Sequence, residues 1–360
     1  MMKLGVVSVG GPGAKLILER AKKYFDEVEL VNIKKLSTKV DSGKQVLYEG
    51  KPLKGFDCLY FKGSFRYELL QYTASHLLAG TVYLPLHASV FPTCHNKLLT
   101  LLRLQREGVA VPETYFCSNA EEARNVLQMV KYPIILKTPA GTQGKGVMVA
   151  DSVESAKTLL DALETFGQAF IIQEYIDTGG TDIRAYVVGN KVVASMQRKA
   201  GKEEVRANIH QGGTGLAFEL DYDTEQLAVK AAKAIKADVC GVDILQGVRP
   251  VVLEINATPG VEGISAATGK DVPDIVAKYL YEKTVEFRKE EKRGNVQNIM
   301  DDLNVQKVDS KEILTNLDIK MGRIRLPEVV TKVANFRDGE EVSLFIDKQE
   351  IAIKKNKVGR

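Results

Sequence analysis

Residues Val252–Ile264 read VLEINATPGVEGI, an aliphatic run that carries an acid, Glu254, and an amide, Asn256, two positions apart. On a strand that spacing puts both side chains on one face. Val251, Val252, Leu253 and Ile255 surround the acid. A solvated outer sheet face is therefore a weak account of it, and a carboxylate in such a setting calls for a cationic partner. Upstream, Asp243 sits in GVDIL, and a turn containing Gly247 and Pro250 separates the two runs. A hairpin here sets Asp243, Glu254 and Asn256 together. Hard oxygen donors of this kind suit Mg²⁺ or Mn²⁺, with phosphates completing the shell.

Working back along the chain, the apolar strand Ile134–Lys137 leads into Gly141-Thr-Gln-Gly144-Lys-Gly146 and a second strand, Val147–Ala150. This is not a P-loop, since Gly146 is followed by Val147. It is a Gly-rich hairpin loop whose backbone N–H groups suit phosphates. Lys137 ends the strand before it, although a lysine there also snorkels without function. Another glycine cluster, Gln211–Gly215, follows Arg206-Ala207-Asn208-Ile-His210. Arg, Asn and His at alternate positions share one face of an extended segment and suit an anion, with a polar surface loop as the plain alternative. Gly10–Gly13 lacks the third glycine of a dinucleotide fingerprint and reads as a tight strand-to-helix turn.

Strand and helix alternate around these motifs. Strands are expected at Leu4–Val9, Val28–Ile33, Cys58–Phe61 and Ala169–Tyr175. Helices are expected at Ala14–Tyr24, Tyr67–Ala79, Asn96–Glu107 (bounded by Pro92 and Pro112), Val153–Leu163 and Thr224–Ala237. Arg184–Val188 and Lys191–Gln197 form a hairpin around Gly189-Asn190. The pattern predicts an α/β fold with a parallel layer near the N-terminus.

The 360 residues, 44% hydrophobic, suffice for two or three domains. A net charge of +4 is too mild to mark a nucleic-acid protein. Cys58, Cys94, Cys117 and Cys240 have no C-x-x-C spacing, which predicts reduced thiols in the cytoplasm. No apolar run approaches the roughly 18 residues of a membrane span, and the N-terminus lacks a signal-peptide pattern. After Lys283 the chain becomes charged (RKEEKR, Arg288–Arg293), and Asn295–Ser310 reads as a linker. Strand patterning returns at Arg323–Leu326, Val342–Ile346 and Ile351–Lys354.

Taken together, Ile134–Lys137 with GTQGKGV, Phe170–Ile176, Asp182-Ile-Arg184, Arg206–His210, GVDIL and VLEINATPGVEGI resemble, in order, the RimK-type branch of the ATP-grasp ligases. The resemblance spans roughly Leu4–Lys283. It implies an α/β ATP-grasp fold, with a pre-ATP-grasp domain over 1–91, the ATP-grasp domain over 92–285, a charged linker over 286–312 and a β-rich tail over 313–360. It also implies site roles. Lys97 and Lys137 belong at the nucleotide phosphates or adenine edge, with Gly144 in the nucleotide loop. Glu174, Tyr175 and Ile176 form the adenine hinge, and Asp182 contacts ribose, although the 177–181 loop departs in length from one common form. Arg206, Ala207 and Asn208 contact nucleotide and phosphate. Asp243, Glu254 and Asn256 hold Mg²⁺ or Mn²⁺, two ions in all.

The implied reaction begins when a carboxylate attacks the γ-phosphate of ATP to give an acylphosphate. An amine then displaces phosphate and forms an amide. Arg184, Arg198 and Arg206 are the candidate catalytic cations for the charge that accumulates. Members of the branch add L-glutamate to a protein C-terminus or a glutamylated coenzyme, and a related branch modifies an amino group instead. Lys62, Arg66 and Tyr67 are candidate acceptor contacts. In the tail, Gly322–Pro327, Gly339–Val342 and Ile351–Lys355 resemble AbrB-like swapped-hairpin domains. That implies either a homo-oligomer or DNA binding through Arg323, Arg325, Lys332 and Arg337; eight acids among the last 50 residues favour the oligomer. The alternatives are a DNA-binding regulator with an ATP-grasp sensor, or a ligase that uses a different amine.

Overall fold

The structure is a computed structural model. It describes the chain apart from residues 42, 44, 140, 142–145, 200–213, 303–317, 321–322, 327, 334, 337–341, 348–349 and 356–360, and leaves many side chains from 292 onward undescribed. The chain divides into two compact units, Met1–Glu291 and Lys292–Arg360.

The first unit opens with β1 (Lys3–Ser8), almost wholly buried. Gly10, at φ +87°, makes the turn into α1 (Pro12–Ala21). Pro12 presets the first helical φ, and Ala14, Ile17 and Ala21 form the buried stripe. After β2 (Glu27–Asn32) comes an antiparallel insertion absent from the sequence reading: β3 (Leu36–Lys39), β4 (Gln45–Tyr48) and β5 (Lys51–Pro52). β6 (Cys58–Phe61) then returns to the first sheet, which is parallel in the order β2-β1-β6. Helices α2 (Glu68–Leu78), α3 (Val90–His95) and α4 (Lys97–Arg106) follow. Pro92 lies within α3 instead of bounding the next helix. The boundary is set by Asn96, whose side chain accepts from Leu99 N at 3.1 Å and caps α4.

A four-stranded antiparallel sheet comes next, built from β7 (Thr114–Tyr115), β8 (Ile134–Lys137), β9 (Val147–Ala150) and β10 (Ile171–Glu174) in the order β7-β10-β8-β9. Helices α5 (Ala120–Met129) and α6 (Val153–Thr165) bury Ala123, Leu127 and Leu160 with Leu136 and Ile172 in a core of its own.

The third sheet has five antiparallel strands: β11 (Thr181–Val188), β12 (Lys191–Lys199), β13 (Thr214–Ala217), β14 (Val239–Gln246) and β15 (Pro250–Asn256), in the order β13-β12-β11-β14-β15. Gly189, at φ +63°, makes the expected hairpin turn between β11 and β12. Helix α7 (Tyr222–Ile235), preceding β14, packs on this sheet, and its core is continuous with that of the parallel sheet. Helices α8 (Glu262–Thr268) and α9 (Val272–Asp302) complete the order.

α9 corrects the expectation of a linker over 286–312, because its first part is helical. The charge run is made of good helix formers, and ion pairs one turn apart (Lys283–Glu286, Arg288–Glu291) support it. In the second unit, β16 (Asp318–Lys320) pairs with β17 (Arg323–Arg325). After α10 (Glu328–Val333), β18 (Val342–Asp347) pairs with β19 (Glu350–Lys355).

Candidate active site

The acid-bearing hairpin forms as its spacing predicts. On β14 and β15, Asp243 lies opposite Glu254, and Gly241 lies opposite Asn256. Directly opposed residues of an antiparallel pair project to the same side. On the other flank of β14, Arg184 of β11 lies opposite Asp243. Asp182, two residues from Arg184, shares its face and lies opposite Arg198 of β12. Strand alternation and register therefore place Asp182, Arg184, Arg198, Asp243 and Glu254 on one face of the sheet.

The contacts agree. Arg184 grips Asp243 through two N–H groups, Nη2 at 2.7 Å from Oδ2. Arg198 grips Asp182 the same way, at 2.6 and 2.7 Å, and its Nη2 also reaches Asp243 Oδ2 at 2.9 Å. Asp243 is only 2% exposed. Burial alone would push its carboxyl up, but the two guanidiniums outweigh that and hold it well below the usual carboxylate range. For Glu254 the balance reverses: burial, with Asp243 beside it, pushes its carboxyl up. Among the described residues no cation lies within ion-pair distance of Glu254.

Lys137 and Lys97 come from other elements. Lys137, at the end of β8, is 4% exposed and donates to Gln173 Oε1 at 2.8 Å; Gln173 in turn donates to Thr114 Oγ1 at 2.8 Å. This lysine does not snorkel. Burial pushes its ammonium down to about 8, against the attraction of Glu254 and with the repulsion of Lys97. Lys97, at the start of α4, donates to Gly141 O at 2.9 Å; burial lowers it too, again against Glu254. Both cations thus feel the same acid across the site. Gln173 was not singled out from the sequence, although its polar side chain interrupting the apolar strand IIQE was a signal.

The hinge follows β10. Glu174 is tied on both sides to Glu113: its N–H donates to Glu113 O at 3.0 Å, and its carboxylate accepts from Glu113 N at 2.8 Å. Ile176 packs on the β14–β15 turn so closely that a Cβ at Gly247 would lie 2.7 Å from Ile176 Cγ2. The segment expected to be the hinge, after one sheet, and the acid-bearing hairpin of the other thus meet at a glycine. Asp182 was expected at ribose, yet here its carboxylate is held by Arg198. Gly144, Arg206, Ala207 and Asn208 lie outside the described residues.

Among the described residues no group of three His, Cys, Asp or Glu side chains gathers around a metal position. The donor set instead is two carboxylates and an amide, Asn256, whose Oδ1 also accepts from Thr258 N at 3.0 Å. It fits a hard divalent ion nonetheless: Glu254 is a half-buried acid beside a second, buried acid, the arrangement that a cation relieves.

The RimK-like ATP-grasp domain family matches residues 94–280. A probable alpha-L-glutamate ligase of Vibrio cholerae is 33% identical over 309 residues, covering 81% of this chain and 99% of that protein. Its counterpart in Cellvibrio japonicus is 35% identical over 272 residues, covering 74% and 90%. The chain belongs to the RimK-like ATP-grasp family. It is an ATP-dependent acid–amino-acid ligase, and ligases of this fold use ATP and Mg²⁺. Solved structures share the fold. The RimK domain ATP-grasp protein of Sphaerobacter thermophilus superposes with a TM-score of 0.60 at 20% identity, covering 77% of this chain and 98% of that one. The ATP-grasp ligase PsnB complexed with minimal precursor, Mg and ADP gives 0.62 at 17% identity, covering 78% and 98%. No helix among the described residues is long and apolar enough to cross a membrane.

A pH test follows from Lys137. A lysine whose ammonium is lost above about 8 offers its charge to phosphate fully only below that pH. ATP affinity is expected to weaken as pH rises from 7 to 9.5, by at most about tenfold per unit from this group. Above pH 8, binding should take up a proton. Lys137→Met should weaken binding at pH 7 and flatten the profile; an equally steep profile in the variant would remove Lys137 from the phosphate site.

Proposed function

We infer that the protein joins the amine of an amino acid, L-glutamate, to a carboxylate acceptor, either a protein C-terminus or a glutamylated coenzyme. The observation that carries this reading is the opposed pair of buried Asp243 and half-buried Glu254, flanked by Arg184 and Arg198 and facing the charges of Lys97 and Lys137. The names of the relatives favour glutamate as the amine.

Asp243, Glu254 and Asn256 are assigned to the divalent ions, two Mg²⁺ or Mn²⁺. When bound, the ions supply charge neutralisation at the phosphoryl group that transfers. The chain's own residues do the rest. Lys97 and Lys137 orient the phosphates. Glu174, Tyr175 and Ile176 seat the adenine. Asp182, with Arg206, Ala207 and Asn208, completes the nucleotide site in this reading. Arg184 and Arg198 stabilise negative charge as the acceptor carboxylate takes the phosphoryl group and as the amine then adds to the acylphosphate and expels phosphate. Planar guanidinium groups, already fixed by Asp243 and Asp182, need little reorganisation. Thiols without metal or disulfide spacing support a cytoplasmic setting.

Incubation with ATP, Mg²⁺ or Mn²⁺, each amino acid and a panel of acceptors, read by ADP release and product mass, tests the reading. A glutamate adduct supports it. ADP release with another amine, and none with glutamate, replaces glutamate but keeps the ligase.

For the tail, a second copy of the chain is the partner we favour. Leu344, Phe345, Ile346 and Ile351 are exposed on the β18–β19 hairpin. A two-stranded hairpin that leaves these apolar residues exposed is marginal by itself. Leu344→Glu with Phe345→Glu in the full chain is expected to lower the mass measured by light scattering to that of a monomer. An unchanged mass would count against this partner, and salt-sensitive duplex binding would favour DNA.

A further inference from the structure

The parallel sheet holds a cation that the nucleotide site does not use. With β1 central and β2 and β6 on either side, its carboxyl edge is a point where strand order reverses, the place where open α/β sheets take ligands. Lys62 is the first residue past β6, and its N–H continues the ladder to Val7 O at 2.8 Å. Its Nζ donates to Pro259 O at 2.5 Å, in the turn that leaves Asn256. From the same turn Thr258 Oγ1 donates to Gly63 O at 3.4 Å. Pro259 also packs toward Arg184: a Cβ placed on Gly241 would lie 3.1 Å from Pro259 Cβ and 3.0 Å from Arg184 Cδ. Lys62 thus stands one turn beyond the metal hairpin.

The lysine is held there. Gln71, fully buried, accepts from Gly63 N at 2.9 Å and donates to Ser64 O at 3.2 Å. A Cβ at Gly63 would lie 2.6 Å from Gln71 Oε1 and 2.7 Å from Ile33 Cδ1, so a side chain next to Lys62 would displace Gln71 from its hydrogen bonds. Burial pushes the Lys62 ammonium down to about 8, and Glu262 opposes this from beyond ion-pair distance. Glu262 itself accepts from Val261 N at 2.9 Å. The ammonium has three donors, and the hydrogen bond described for it goes to a neutral carbonyl. Lys62 is half-buried, and among the described residues no carboxylate lies within ion-pair distance of its ammonium, so a partly desolvated cation lacks the carboxylate that ordinarily accompanies it.

Resting on the ligase reading above, the geometry points to Lys62 as a specificity-determining residue that binds a substrate carboxylate taking no part in bond formation. The carboxylate that reacts belongs with Arg184, Arg198 and the metal acids. Lys62, one turn further out on the N-terminal sheet, is placed for a second one. Either substrate can supply it: the incoming amino acid keeps its own carboxylate, and an acceptor carries others beside the one that reacts.

The test uses the full-length enzyme, with L-glutamate as amine and a peptide ending in glutamate as acceptor, each varied in turn, or the pair found in the screen above. A wild type that ligates nothing overturns the ligase reading before Lys62 is in question. Given turnover, Lys62→Gln is expected to raise KM for one of the two substrates by about 30-fold, the scale of a charged hydrogen bond, with ATP KM unchanged and kcat within about threefold. Lys62→Arg should recover most of the loss. The substrate whose KM moves is the one that supplies the carboxylate. Its carboxamide analogue should be discriminated against by the wild type and not by Lys62→Gln. Unchanged KM values for both substrates overturn the proposal. So does a fall in kcat together with ATP affinity and thermal stability, since that is the signature of a clamp on the 258–262 turn.

Discussion

Glu254→Ala is expected to abolish turnover, by roughly a thousand-fold or more, while the protein folds as before. Metal-borne charge stabilisation in phosphoryl transfer is worth several kcal/mol, and each 1.36 kcal/mol is a factor of ten. The variant also has a stability signature. Glu254's carboxyl is raised by burial and by Asp243, so the folded protein holds its proton more tightly than the unfolded chain does. Such a group contributes stability below its unfolded pKa, and the contribution is lost as pH rises through the folded value. At neutral pH without metal, the wild type therefore carries a penalty that the alanine variant lacks. The variant should melt at the same temperature or higher at pH 7, and the difference should shrink toward pH 4. Added Mg²⁺ with ADP should stabilise the wild type and not the variant. Near-normal turnover would remove Glu254 from the metal site, and a sharply lowered melting temperature would make it structural.

Much of this site was legible before any coordinates. Glu254 and Asn256 two apart in an aliphatic run, and Asp243 across a short turn, suffice to predict a shared face, because strand alternation has a fixed period. The order of the motifs supplied the family. What the sequence left open was how the charges are distributed among themselves. Asp182 reads as a ribose contact, but its register opposite Arg198 turns its carboxylate into that residue's partner. The hairpin turn sets Val188 opposite Lys191, but a β-bulge between Tyr186 and Val187 shifts the register by one residue, so that Asp182 meets Arg198 and not Gln197, and nothing in the local spacing announces that bulge. Gln173 was missed for a related reason: its role depends on Lys137 of the neighbouring strand, which lies far away in sequence. The insertion β3–β5 was missed because its strands are two to four residues long, too short for an alternation to declare itself. The linker reading of 295–310 did not foresee that α9 runs on to Asp302: Glu, Lys and Arg in the charge run are good helix formers, and opposite signs one turn apart stabilise a helix.

Arg198→Met is the second large effect, and it separates two roles of one residue. Arg198 bridges Asp182 and Asp243, and all three are largely buried. Removing one partner from a buried ion network leaves an uncompensated charge, at a cost of about 3–5 kcal/mol. Asp243 keeps Arg184, so the loss falls chiefly on Asp182, whose carboxyl burial already pushes up. The melting temperature should drop by about 10 °C at pH 7. Because Asp182 in the variant takes up a proton more readily still, the deficit should narrow as pH falls toward 5. Adding Asp182→Asn to Arg198→Met removes the stranded charge. If the cost is electrostatic, the double variant should regain much of the lost stability, with a coupling energy in the range found for contacting residues. Turnover should not return with it if, as proposed, the Arg198 guanidinium acts where negative charge develops, since it is still missing. Recovery of both would reduce Arg198 to a scaffold for Asp182. Recovery of neither would mean that packing of the arginine stem, and not its charge, holds this part of the sheet together.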